Sequence, residues 1–198
     1  MNKLNLFLSA ILLSASLTTN AQLTEPKSAK RTTIHTVGIN GGLGCITSKL
    51  YTVAGEKSWL TGLDMSAEYT CIFGSGYGFG VVAERSSTDY GGDYVNQNYI
   101  GPEFVMAGDL SRKWCGRVNF GGGYATCYDD YTENTDKGFG LRAGVGIDYK
   151  LTNWLGIGAE LADYLIFFGS QDNFNWNKNN GIDGIQRFSL TLGLRVYL

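Results

Sequence analysis

Apolar and polar side chains alternate one by one along most of this chain. In 187–198, Phe188, Leu190, Leu192, Leu194, Val196 and Leu198 fall on one face, and Arg187, Ser189, Thr191, Gly193, Arg195 and Tyr197 on the other. A period of two is the mark of a β-strand with unlike faces. The same reading predicts eight strands, near 33–47, 61–73, 76–87, 94–107, 113–127, 137–150, 154–168 and 185–198. Long connections (48–60, 88–93, 128–136 and 169–184) alternate with short ones ("GSG" at 74–76, "GDLSR" at 108–112 and "LTN" at 151–153). Tight turns at one end and long loops at the other predict an all-β fold, an eight-stranded antiparallel up-and-down barrel. Barrels that cross membranes are built this way. Each segment supplies the roughly 9–11 residues a tilted strand needs to cross hydrocarbon. The last strand would be an aggregation hazard as an open edge, so it is expected to close the ring against the first.

The chemistry of the two faces decides which one looks inward. The polar face collects Asp64, Glu68, Glu84, Glu103 and Glu160 against Arg117, Arg142, Arg187 and Arg195. It also carries most of the glycines, while the other face carries bulky aromatic and aliphatic side chains. The interior of an eight-stranded barrel is narrow. Glycines fit inside and large side chains outside, which predicts a transmembrane barrel with an apolar wall and an ion-paired lumen. The alternative is a soluble, lipocalin-like ligand-binding barrel, which would have to seat those aromatics within. Trp114, Trp154, Tyr149, Tyr77, Phe73 and Tyr197 cluster at the short-turn ends, and Trp59, Tyr128, Phe167 and Phe168 at the long-loop ends. Two such belts suit the two interfaces of a bilayer.

Composition adds boundaries. The chain has 198 residues with 28 Gly, 12 Tyr and only 2 Pro, and a net charge of −2 gives no basic field for nucleic acid. Residues 1–21 read as a secretory signal peptide, with Lys3, an apolar run from Leu4 to Leu17, and small or polar residues to Ala21. Residues 22–32 read as a polar periplasmic leader and 33–198 as the barrel. The expected location is the bacterial outer membrane.

Candidate chemistry is sparse. Cys45, Cys71, Cys115 and Cys127 form no CxxC pair, and one histidine cannot complete a Cys/His zinc set. Export permits disulfides. The spacing does not give a pairing, and free or partly paired thiols are favoured. His35, at the start of the first strand on the short-turn side, is the only histidine, and no GxSxG occurs. No catalytic residue, metal or cofactor is expected.

The signal-like N-terminus, the eight alternating segments, "YIGPEF" (99–104) and "GLRVYL" (193–198) together resemble the small outer-membrane β-barrel family of the OmpA/OmpX-like type, over the chain from about residue 33. In that family the last strand ends in a signal for the outer-membrane assembly machinery. Gly193, Val196 and Tyr197 resemble it, but Leu198 stands where the family has an aromatic. The resemblance implies outer-membrane lipid, lipopolysaccharide and the assembly machinery as partners, and a monomer. It implies a structural or surface-interaction role rather than a wide pore, with a small-solute porin-like channel as the alternative. In the last long loop, "GSQDNFNWNKNNGIDG", Phe174 and Trp176 are candidate contacts for an extracellular ligand.

Overall fold

The computed structural model describes residues 33–48, 50–52, 55–89, 91–130, 133–168 and 184–198. The expected signal peptide (1–21), the leader (22–32) and the loop residues Phe174 and Trp176 lie outside the described residues. The strands are β1 (Ile34–Ile46), β2 (Leu50–Thr52), β3 (Gly55–Lys57), β4 (Leu60–Ile72), β5 (Tyr77–Asp89), β6 (Tyr94–Asp109), β7 (Trp114–Asp129), β8 (Asn134–Lys150), β9 (Leu155–Phe168) and β10 (Gly184–Tyr197). Eight of them close an antiparallel ring in the order β1-β10-β9-β8-β7-β6-β5-β4, and β2 and β3 pair as a separate hairpin. The ring closes where β1 meets β10, from Thr36↔Tyr197 to Ile46↔Arg187, and Leu198 N–H donates to the His35 carbonyl at 2.8 Å.

The register fixes the tilt. A row of paired residues runs from Cys45 through Phe188, Asp163, Ala143, Phe120, Phe104, Phe79 and Cys71 to His35. One circuit therefore returns to β1 ten residues lower, at His35 rather than Cys45. Such a stagger inclines the strands, typically by about 35–45° to the barrel axis.

Two of the expected long connections are short. The links at 90–93 and 130–133 have four residues each, because the ladder continues through Thr88↔Val95, Asp89↔Tyr94 and Asp129↔Asn134. Backbone hydrogen bonds propagate through polar side chains as readily as through apolar ones, so the loss of alternation did not mark the strand ends. The connection expected at 48–60 contains the β2–β3 hairpin. At the end of the barrel where β1 begins and β10 finishes, the links are 73–76, 110–113 and 151–154. The first is a tight turn: Gly76 sits at φ +84° and its N–H donates to the Phe73 carbonyl at 2.8 Å. That backbone conformation suits glycine.

Pro102 in "YIGPEF" lies within β6. It has no N–H, and the β6–β7 pairing passes from Ile100↔Tyr124 to Glu103↔Gly121 without it. The strands still approach closely there: a Cβ on Gly123 would lie 2.6 Å from the Gly101 Cα.

The wall is apolar on the outside. Leu192 is 68% exposed and Met65 70%, whereas Arg142 on the inner face is 1% exposed. This is the reverse of a soluble barrel and suits hydrocarbon as solvent. Phe168 departs from the expected belt. It turns inward and packs on buried lumen residues.

Candidate functional site: a polar, ion-paired lumen

Alternation sends every second residue of each strand inward, and the inward set contains all nine charged residues singled out from the sequence. Asp64, Glu68, Glu84, Glu103, Arg117, Arg142, Glu160, Arg187 and Arg195 are all buried. They join into one continuous chain of contacts along the axis. Near the chain-terminal end, Arg195 pairs with Asp148 at 2.5 Å and with Glu68. Glu68 also accepts from Arg117 at 2.7 Å, and Arg117 reaches Glu160. Glu160 is shared with Arg142, which pairs with Glu103 at 2.6 Å. Arg142 Nε donates to the Tyr164 hydroxyl at 2.7 Å, and that hydroxyl donates to Glu84. Glu84 pairs with Arg187 at 2.5 Å, and Arg187 reaches Asp64 at 3.1 Å. Strands β4 to β10 all contribute. A charge taken from water demands partners, and here each ion has at least one.

Strand β1 contributes space instead of charge. A Cβ at Gly44 would collide with the Asp64 carboxylate. Among the chain's members, six carboxylates (Asp64, Glu68, Glu84, Glu103, Asp148, Glu160) face four guanidiniums (Arg117, Arg142, Arg187, Arg195), an excess of two negative charges.

Two members were not in the sequence-derived set. Asp148 lay on the polar face of its strand but carried no signal that it would meet Arg195, since that meeting depends on register. Tyr164 sits on a strand whose inward residues are mostly apolar, yet its ring lies under Arg187 at 4.5 Å and its hydroxyl joins the two halves of the chain. Cation over an aromatic face is favourable when desolvated.

Toward the far end the lumen holds an apolar cluster, with Thr88 and Asp129 buried beside it on either side of Val95. Ile46, Val95, Cys127 and Ile185 are buried together, with Leu60 and Phe168 packed against them. These residues come from β1, β6, β7, β10, β4 and β9 and form a cap over the ion-paired chain.

His35 points away from the lumen. Its Nδ1 shares a 2.7 Å hydrogen bond with the Tyr69 hydroxyl and its ring stacks on that tyrosine. The four cysteines are free thiols, with Cys127 buried and the others half-buried.

No protein-family model matches the sequence, and no curated protein matches it significantly. Solved structures do match the fold. Neisserial surface protein A superposes with a TM-score of 0.61 at 14% identity, covering 82% of this chain and 96% of that one. Ail, the attachment invasion locus protein of Yersinia pestis, gives 0.52 at 10% identity, covering 83% and 98%. The resemblance to small eight-stranded outer-membrane barrels holds at the level of the fold.

Proposed function

We propose that this chain is an outer-membrane barrel with a closed lumen, serving as a scaffold that presents its far-end connections at the cell surface and not as a pore or an enzyme. The observation that carries the reading is the continuous series of ion pairs from Asp148 to Asp64, bridged once by the Tyr164 hydroxyl, beneath a cluster of apolar side chains. Eight strands enclose little room, and here guanidinium and carboxylate groups fill the axis while apolar side chains fill its end. The outward apolar wall, the signal-like N-terminus and the shared fold all support insertion in the outer membrane. With an even number of strands, both barrel ends of the chain lie at one face, which we place in the periplasm. The β2–β3 hairpin and residues 169–183, with Phe174 and Trp176, then belong to the outer face, where contact with lipopolysaccharide or a surface ligand would occur. Planar-bilayer recording tests the reading. Insertion with no stable steps is expected, and large, porin-like conductance would overturn it.

A further inference from the structure

Among the charges on the outer wall, which include Asp89 and Lys137 near its far edge, two stand deeper. Arg85 projects from β5 and is exposed, with no ion-pair partner among the described residues. Asp163 projects from β9, and its partner is the amide of Gln186, at 3.3 and 3.4 Å. In the ring, β9 and β5 are four strands apart out of eight, so the two charges stand on opposite walls.

They also stand at the same height. The row through Asp163 reaches Phe79 on β5 after half a circuit, which lowers it by half of the ten-residue stagger, five residues. Arg85 lies six residues above Phe79 on the same strand. The difference is one residue, roughly 3 Å along a strand.

The walls differ in shape as well as charge. An open groove of about 900 Å³ passes Arg85 on the outer surface and runs from Tyr124 on β7 round to Leu192 and Leu194 on β10. Gly41, Ala67 and Ala83 line it, and a Cβ at Gly41 would meet nothing closer than 3.9 Å. On the Asp163 side, Leu161 and Leu190 stand out from the wall, 48% and 58% exposed.

From this opposition we infer that barrels associate side by side in the membrane, the Asp163 wall of one copy seating in the Arg85 groove of the next. A charge facing lipid is unfavourable at depth, and a level partner of opposite sign relieves both. The two surfaces are different patches, so the contact is head-to-tail. Head-to-tail contacts whose surfaces lie on opposite sides do not close, and they propagate as rows. The proposal replaces the monomer expected from sequence and rests on the membrane reading above.

The test is counting barrels per spot by single-molecule photobleaching, using full-length protein tagged within 169–183 in supported bilayers of outer-membrane lipids. Wild type should form multi-barrel rows that lengthen with surface density. Arg85→Glu and Asp163→Arg should each lower the multi-barrel fraction by about tenfold, as loss of a specific charge contact would. An equimolar mixture of the two variants should recover association, and so should the double variant, because each restores opposite charges across every contact. The milder pair Arg85→Gln and Asp163→Asn serves if a charge reversal fails to insert, and both should lose association. Single barrels of wild type at every density would overturn the proposal. So would Asp163→Arg clustering like wild type, which would assign the groove to a lipid or a two-fold contact, and so would a mixture that does not recover. A wild type lacking the heat-dependent gel shift of a closed barrel would instead defeat the membrane reading itself.

Discussion

Gly38 on β1 and Glu68 on β4 share one space: a Cβ at Gly38 would lie 2.6 Å from Glu68 Oε1 and 3.0 Å from its Cγ. The paired strands place the two residues directly opposite. The carboxylate that accepts from both Arg117 and Arg195 is thus seated over a position that has no side chain.

Gly38→Leu is therefore expected to displace Glu68 and leave two arginines short of an acceptor. Overpacking and a broken buried ion pair together should lower stability by about 3 kcal/mol. Urea titration in lipid vesicles, followed by tryptophan fluorescence, measures it. A neutral result would mean that Glu68 has another seat.

Arg142→Met removes the residue shared by Glu103, Glu160 and Tyr164. Deleting one member of a buried ion network costs about 3–5 kcal/mol because its partners stay charged and buried. Adding Glu160→Gln and Glu103→Gln should recover much of that loss. A triple variant no more stable than the single one would mean that packing around Arg142, not charge, is at stake.

The outward face has a depth profile. Leu192 lies mid-strand and is 68% exposed, while Thr135 sits at the far edge of β8. Leu192→Arg should destabilise the inserted barrel by roughly 2–4 kcal/mol and Thr135→Arg by about 0–1 kcal/mol, as charge on a barrel wall is penalised according to depth. Comparable losses at both positions would place the hydrocarbon elsewhere.

Cys127 belongs to the apolar cap and is 2% exposed. In the folded barrel it should resist a water-soluble maleimide for hours, and after denaturation without reductant all four cysteines should label. Rapid labelling of Cys127 in the folded protein would show that water reaches the cap.

Strand positions and facing were legible because unlike solvents on the two sides of a sheet impose a period of two on residue type. That period puts Leu192 and Arg195 on opposite faces, and the narrow interior, which takes the glycines and not the bulky side chains, decides that Leu192 is outside and Arg195 inside. The cap was not legible for the same reason. Ile46, Val95 and Ile185 face inward yet are as apolar as the wall, so residue type no longer reports the side. Nor does alternation carry register, and register decides that Arg195 meets Asp148 and Glu68, and that Tyr164 links Arg142 to Glu84. Arg85 and Asp163 could be placed on their faces from sequence, but their common height needs the ten-residue stagger of the closed ring.

Closure through β1 and β10 also makes the order of segments cyclic. His35 and Leu198 are hydrogen-bonded neighbours, so the seam between them is one strand pair among eight, with the same ladder as the rest. A circularly permuted chain, joined across that seam by a short linker and opened within 110–113, would keep every ladder, every lumen ion pair and the cap. The linear sequence has a beginning and an end, but the ring it builds has neither.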